Sequence, residues 1–301
     1  MTELTLDVCG RFDEKGNFIV DDSRLDEIIG KYKVGSILNA PGNTAQTPEA
    51  WKRIIGAIQE KSMSTMGIPC IYGLDQNHGT TYTAGGTFFP QNINVAATFN
   101  TELARQAAEI TAYETRASSA PWTYSPTLDL GLRAPARTAA RYGAKCFSRR
   151  SETDTTAGVR SFPLKGTAHA AAALNAAEES MVLLKNADNT LPIPKGKKIL
   201  VTGPNANSMR CLNGGWSYSW QGNLADRFAS GYNTILEAMQ QKFGVSNVSY
   251  EAGVTYKQDG AYWEENEPEI EKVLSAFFRR TMDSSAAFSA AAACAAEANS
   301  G

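Results

Sequence analysis

Between Leu25 and Thr127 the apolar positions follow two rhythms in turn. Leu25, Ile28 and Ile29 share a helical face, and Val34-Gly-Ser-Ile-Leu38 then reads as a strand. Thr47-Pro48-Glu49 marks a helix start, with threonine at the cap, proline at the first helical position and an acid in the first turn. Trp51, Ile54, Ile55 and Ile58 follow at i, i+3, i+4 and i+7, which makes one apolar stripe. Next comes a short buried strand, Ile68-Pro-Cys-Ile-Tyr-Gly-Leu74, where Pro69 and Gly73 argue against helix. It runs into the polar loop Asp75-Gln-Asn-His-Gly79. Asn100 is placed to cap a helix through Leu103, Ala107 and Ile110, and Trp122 to Leu130 begins another strand. Strand and helix alternating in this way predict parallel strands with helices outside them.

The rhythm is lost from Leu132 to Thr167, a stretch rich in Arg, Ala, Thr and Ser. Arg133, Arg137, Arg141, Arg149, Arg150 and Arg160 lie there without interleaved aromatics or a helical stripe, which favours a solvated loop over a phosphate-binding patch. Order returns at Ala168. Leu174, Ala177, Met181 and Leu184 predict a helix ending near Asn186, and Lys197 to Gly203 a strand with a polar turn beyond it. Ile235, Leu236, Met239 and Phe243 predict a helix closed by Gly244. Val245 to Tyr250 reads as a strand, and Ile270, Val273, Leu274 and Phe277 as a helical face. From Phe278 to Gly301 the chain is Ala/Ser-rich with little to bury, which predicts disorder.

Composition narrows the choices. A formal charge of −2 over 301 residues carries no electrostatic footprint for nucleic acid or an anionic membrane. Cys9, Cys70, Cys146, Cys211 and Cys294 are scattered and odd in number, and only His78 and His169 are available as imidazole ligands. No metal site, disulfide framework or cofactor is therefore expected. The Met-Thr-Glu-Leu-Thr-Leu-Asp start has neither the basic nor the apolar region of a signal peptide. The strand at Lys197–Gly203 lacks the glycines of a dinucleotide fingerprint, so a nucleotide-binding reading is weak.

Two loops carry candidate chemistry. Asp75 falls at the carboxyl end of a strand, the end at which parallel sheets and barrels bind ligands. From spacing alone it reads equally as a ligand carboxylate and as a cap on a local turn. In Asn213-Gly-Gly-Trp-Ser-Tyr-Ser-Trp-Gln-Gly222, the residues Trp216, Tyr218 and Trp220 alternate, so on an extended segment all three would face one way. Such a face suits a sugar ring, and it suits a packing loop at least as well. Trp122 and Tyr124 read as packing residues.

Asp75-Gln-Asn-His-Gly79, Phe89-Pro-Gln91 and Ala96-Ala-Thr98 resemble the N-terminal barrel of glycoside hydrolase family 3, the β-glucosidase family. Ala176-Ala-Glu-Glu-Ser-Met-Val-Leu-Leu-Lys-Asn186, Leu191-Pro-Ile193 and Lys198-Ile-Leu-Val-Thr-Gly-Pro-Asn-Ala206 are similar to the opening of that family's second domain, an α/β sandwich. The resemblance implies an α/β chain made of a partial TIM-type (β/α) barrel and a partial α/β sandwich. The barrel part is 1–131, the irregular linker 132–167, the sandwich part 168–277 and the tail 278–301. It implies a retaining hydrolase acting on terminal β-linked glucosyl residues, a β-glucoside or oligosaccharide as partner, and a periplasmic or secreted setting. Asp75 matches the aspartate that hydrogen-bonds sugar hydroxyls in the −1 subsite, a task at which a carboxylate outdoes a neutral acceptor. Gln76 to His78 would support it, and Trp216 and Trp220 would lie on the active-site side.

The resemblance also implies absences. Retaining glycosidases use two carboxylates, and the family's nucleophile sits in a Ser-Asp-Trp-like motif. No Ser-Asp or Asp-Trp pair occurs in these 301 residues. The second-domain segment that carries the acid/base glutamate has no match past Phe277. The Lys-His substrate pair is missing too, and Leu132-Arg-Ala-Pro-Ala-Arg137 replaces Arg-Asp-Pro-Arg-Trp. About half of the roughly 250 residues of a complete barrel are recognisable. Such a pattern fits a deletion or reading-frame change, and it predicts little or no hydrolysis. The alternatives are a non-catalytic carbohydrate-binding module and a non-functional remnant.

Overall fold

A computed structural model describes residues 3–125, 164 and 166–253. The chain divides into two compact units. The first runs to Leu184 and takes in Gly214–Phe228; the second holds Lys185–Asn213 and the described residues from Ala229. In chain order the first unit contains β1 (Glu3–Thr5), the hairpin of β2 (Gly10–Phe12) and β3 (Phe18–Val20), α1 (Asp22–Leu25), β4 (Ser36–Leu38), α2 (Pro48–Met66) and β5 (Ile71–Leu74). It continues with α3 (Asn92–Ala97), α4 (Thr101–Ala117), β6 (Trp122–Thr123) and α5 (Gly166–Glu179).

The sheet has the order β1-β4-β5-β6 and every pairing is parallel. Its carboxyl ends therefore lie on one side, where Asp75 follows Leu74 directly. Helix α2 holds the sheet from outside. The Thr47 hydroxyl accepts the Ala50 N–H at 3.2 Å, Pro48 opens the first turn, and Gly67 closes the helix in the left-handed region at φ 70°. Trp51, Ile54, Ile55 and Ile58 are buried in one cluster with Leu6, Ile29, Ile37, Tyr72 and Leu74. Trp51 meets Tyr72 edge to face at 6.1 Å and donates its indole N–H to Tyr82 O at 2.9 Å.

A polar clamp leads into β5. The Gln59 amide donates to Cys70 O at 2.8 Å and accepts the Cys70 N–H at 2.9 Å, so both backbone groups are satisfied by α2. The strand accordingly starts at Ile71 instead of Ile68, which is exposed. Burial pushes the Cys70 thiol up to about 12 and that of Cys9 up to about 11. Both are core groups in their thiol form.

Several expectations are corrected. Strand β1 and the β2–β3 hairpin carry no strong alternation and were not anticipated; pairing with β4 makes β1 a strand. Helix α1 continues as a π-helical turn over Asp26–Lys31, which buries Ile28 and Ile29. The helix expected to reach Asn186 ends at Glu179. Its small residues Ala172, Ala173 and Ala176 pack on Phe89, Leu103, Ala107 and Ile110, so its packed face is an alanine face. Leu174, Met181 and Leu184, the expected stripe, are exposed. Beyond Ser125 the strand expected to Leu130 lies outside the described residues, as do Leu132–Pro163, the helical face from Ile270 and the segment from Phe278.

In the second unit β7 (Ile199–Thr202) pairs in parallel with β8 (Val248–Glu251) across α6 (Ile235–Phe243). Thr234 and Glu237 form a reciprocal capping box at the start of α6. Strand β8 begins at Val248 because Val245–Asn247 forms a 3₁₀ turn after Gly244. The Tyr250 hydroxyl reaches Gly203 O at 3.2 Å, tying β8 to the turn after β7.

Ile58 is fully buried in the main cluster. Ile58→Ala is expected to destabilise the first unit by about 2–5 kcal/mol through lost contacts and a residual cavity. Urea denaturation followed by tryptophan fluorescence checks this.

Candidate functional site

Three loops converge beyond the carboxyl ends of β4 and β5. The loop after β4 turns at Asn39, a left-handed residue whose N–H donates to Gly73 O at 2.9 Å. The loop after β5 carries Asp75-Gln-Asn-His-Gly79. The third loop, Gly214–Phe228, comes from far along the chain and belongs to the first unit. Its backbone is threaded between the other two. Ala45 N–H donates to Tyr218 O at 2.7 Å, Tyr218 N–H to Thr81 O at 3.1 Å, and Trp220 N–H to Asn43 O at 3.2 Å.

This threading separates the aromatics. Trp216 and Tyr218 both have positive φ, 54° and 60°, so the segment is coiled and does not present them on one face as an extended strand would. Tyr218 is buried in an aromatic stack, 4.4 Å from Phe88 and 5.0 Å from Phe228 between ring centroids. Trp220 is half-exposed at 52%. Trp216 is partly buried and donates its indole N–H to Asp75 Oδ2 at 2.9 Å. Asp75 and Trp216 are thus brought together, and Trp220, four residues after Trp216, is exposed to solvent.

Asp75 is partly exposed. Its backbone carbonyl accepts the Asn77 N–H at 3.1 Å and its Oδ2 is held by Trp216. Among the described residues, Oδ1 accepts no hydrogen bond. The neighbouring phenols of Tyr82 and Tyr124 are pushed up, both chiefly by burial; the charge of Asp75 adds to this in each, after that of Glu3 in the case of Tyr124. Gly73 lets the Tyr124 ring come close, since a Cβ there would sit 2.5 Å from the phenol oxygen. Gln76 is buried and accepts the Tyr82 N–H at 3.0 Å, while Asn77 Oδ1 accepts from Ser125 Oγ at 3.1 Å.

His78 is turned inward. Nδ1 lies 2.9 Å from Phe89 O, which can only accept, so Nδ1 carries the proton. Nε2 is left to accept from Ser217 Oγ at 3.3 Å. Burial holds the imidazole below its ordinary value, which keeps it neutral. His78 therefore joins the β5 loop to the Trp216 loop through protein groups. Gly79 follows at φ 113°, where a Cβ would lie 2.2 Å from Thr87 O.

Glu114, Thr87 and His169 were missed from the sequence. Glu114 is fully buried on α4; its carboxylate accepts the Thr87 N–H at 2.7 Å and the Thr87 hydroxyl at 2.8 Å, and faces His169 Nδ1 at 2.6 Å. A signal existed. Glu114 continues the Leu103–Ala107–Ile110 stripe, and an acid on an apolar helical face calls for a buried partner. Among the described residues, no group of three His, Cys, Asp or Glu side chains is placed to hold a metal ion.

A parallel sheet with helices outside it and a carboxylate paired to an indole beyond its strand ends places the first unit in the α/β class. Residues 12–167 match the Glycosyl hydrolase family 3 N terminal domain, and residues 181–300 match the Glycosyl hydrolase family 3 C-terminal domain. The chain belongs to glycosyl hydrolase family 3. It is 37% identical over 123 residues to a lysosomal beta glucosidase of Dictyostelium discoideum, a stretch that is 38% of this chain and 15% of that protein. Among solved structures, the β-glucosidase EmGH1 of Erythrobacter marinus shares the fold with a TM-score of 0.60 at 16% identity, over 91% of this chain and 60% of that one. A β-glucosidase of Listeria innocua aligns with a TM-score of 0.56 at 15% identity, over 85% of this chain and 58% of that one. The matches confirm a TIM-like N-terminal part and an α/β C-terminal part.

The inward His78 makes stability depend on pH with a definite sign. The unfolded chain takes up a proton as pH falls through about 6.5, whereas the folded site resists it. The contribution is complete above about pH 6.5 and is lost as pH falls below it. Thermal melts at pH 7.5 and 5.5 should show a larger loss of melting temperature for the wild type than for His78→Gln. Equal losses would show that His78 protonates freely in the fold.

Proposed function

We propose that this chain binds the terminal glucosyl unit of a β-glucoside, with Asp75 as the hydroxyl acceptor, and that these 301 residues hydrolyse it little or not at all. The observation that carries the reading is the division of labour at Asp75. Trp216 holds one carboxylate oxygen at 2.9 Å and orients it, while the other accepts no hydrogen bond among the described residues. An oriented carboxylate is a strong acceptor for sugar hydroxyls. Trp220, half-exposed four residues after Trp216, would offer an aromatic face to the apolar side of a sugar ring. His78 takes no direct part, because both of its ring nitrogens are engaged within the protein; its part is to hold the loops.

Family membership supports the substrate class. The Listeria innocua β-glucosidase has been solved with glucose, laminaribiose and isofagomine. Against turnover stands the chemistry of retention, which needs a nucleophile and an acid/base about 5–5.5 Å apart. The Ser-Asp-Trp-like nucleophile motif does not occur in these 301 residues, and one carboxylate of the pair is thereby without a candidate. Residues 1–131 then serve as the barrel part that carries Asp75, and 168–277 as the sandwich part, from which the stretch to Leu184 and Gly214–Phe228 pack with the first unit.

Calorimetric titration with isofagomine tests binding. Saturable binding is expected, weakened roughly 10- to 100-fold in Asp75→Ala by loss of a hydrogen bond to a charged group. No heat of binding in the wild type would leave a remnant without a sugar site. Incubation with an aryl β-glucoside should release no aglycone; release abolished by Asp75→Ala would refute the claim that hydrolysis is lost.

A further inference from the structure

We infer that Glu114 is a positioning residue for the Asp75–Trp216 pair, acting across the buried Thr87–His78 connection. The inference rests on the sugar-site reading of Asp75, but its structural core can be tested without a sugar.

Glu114 lies on α4, on the far side of the β5 loop from Asp75 in the chain of contacts, and it is fully buried. A buried carboxyl group without partners is costly, and this one has three polar partners: the Thr87 N–H, the Thr87 hydroxyl and His169 Nδ1. Two of the three come from Thr87. The carboxylate therefore fixes both the backbone and the side chain of that one residue, as a two-point clamp does.

What Thr87 fixes is the return arm of the Asp75 loop. Its carbonyl accepts the Thr80 N–H at 2.9 Å, and the next residue, Phe88, bridges to Gly79. Phe89 N–H donates to His78 O at 2.7 Å while Phe89 O receives His78 Nδ1. The Phe88 ring touches both His78, edge to face at 5.6 Å, and Tyr218 at 4.4 Å. His78 Nε2 then meets Ser217, whose chain neighbour Trp216 donates to Asp75. Every contact from Glu114 to Asp75 is a hydrogen bond, a ring contact or a single peptide step. None of them runs through an exposed side chain before Trp216.

His169 adds a second attachment. It stands on α5, beyond the residues 126–163, and places its ring against Glu114 and edge to face with Tyr113 at 5.6 Å. The α5 helix thereby closes the buried end of the carboxylate, with its alanine face packed on Phe89 and Leu103. The same helix that seats His169 also bears on the residue whose carbonyl holds His78.

The test follows the Trp216 indole N–H resonance in the ¹⁵N-labelled full chain, assigned by its disappearance in Trp216→Phe. Glu114→Gln and Thr87→Val are expected to shift or broaden it, and Thr87→Ser, which keeps the hydroxyl, to restore it. Leu236→Ala, a cavity under a helix of the second unit, should lower stability without moving it. In parallel, Glu114→Gln should weaken isofagomine binding on the order of tenfold, as a displaced acceptor would. An unmoved indole resonance in folded Glu114→Gln overturns the inference, whatever the sugar does. If Glu114→Gln does not fold, Thr87→Val against Thr87→Ser decides on the same resonance. A wild type that ignores isofagomine while the resonance still responds to Glu114→Gln sinks the sugar reading and upholds the positioning.

Discussion

Tyr218 is buried between Phe88 and Phe228, and its backbone is bonded on both sides, to Ala45 through its carbonyl and to Thr81 through its N–H. The convergence of loops beyond the sheet depends on this insertion. Without it the Gly214–Phe228 segment is tied to the neighbouring loops only through the Trp220–Asn43, Ser217–His78 and Trp216–Asp75 hydrogen bonds. The arrangement joins apolar burial, which is non-directional, to two backbone bonds that fix register. It also requires left-handed backbone at Trp216 and at Tyr218 itself, a conformation that non-glycine residues adopt only where surrounding contacts over-determine it.

The sheet supplies the other half of the site. Four parallel strands bring their carboxyl ends to one side, so any polar residue that follows a strand is delivered to the same rim. Asp75 is such a residue. Its neighbours Gln76 and His78 are spent on structure, one accepting from Tyr82 and the other spanning Phe89 and Ser217. A single loop thus contains one outward acceptor and two inward struts. That separation leaves one partly exposed carboxylate on a loop in which Gln76 and His78 are buried.

Much of this was legible in the sequence, and the residues show why. Thr47-Pro48-Glu49 and the Trp51–Ile58 stripe announce α2, because capping and amphipathic spacing act over a few residues. Asn100 caps α4 for the same local reason. The motif at Asp75 pointed to its family and to the strand end it occupies. Misreadings arose where the decision was non-local. The short β1 is made by its partner β4, and the expected Leu174–Leu184 stripe lost to an alanine face that fits closely against α4. Glu114 was in plain view on an apolar stripe, but its partner His169 is distant in sequence and reached only through the fold.

By itself the sequence determined the helices with their caps, the parallel α/β class, and the family to which Asp75-Gln-Asn-His-Gly79 belongs. These rest on periodicity, capping chemistry and a motif, all of which are written within short windows. Tertiary structure alone decided which oxygen of Asp75 is held and by what, that His78 faces inward and stays neutral, and that the three aromatics of the Trp216–Trp220 loop take three different environments. The physical reason is burial. Whether a polar group is free to bind depends on which distant segments pack over it, and spacing along the chain does not contain that information.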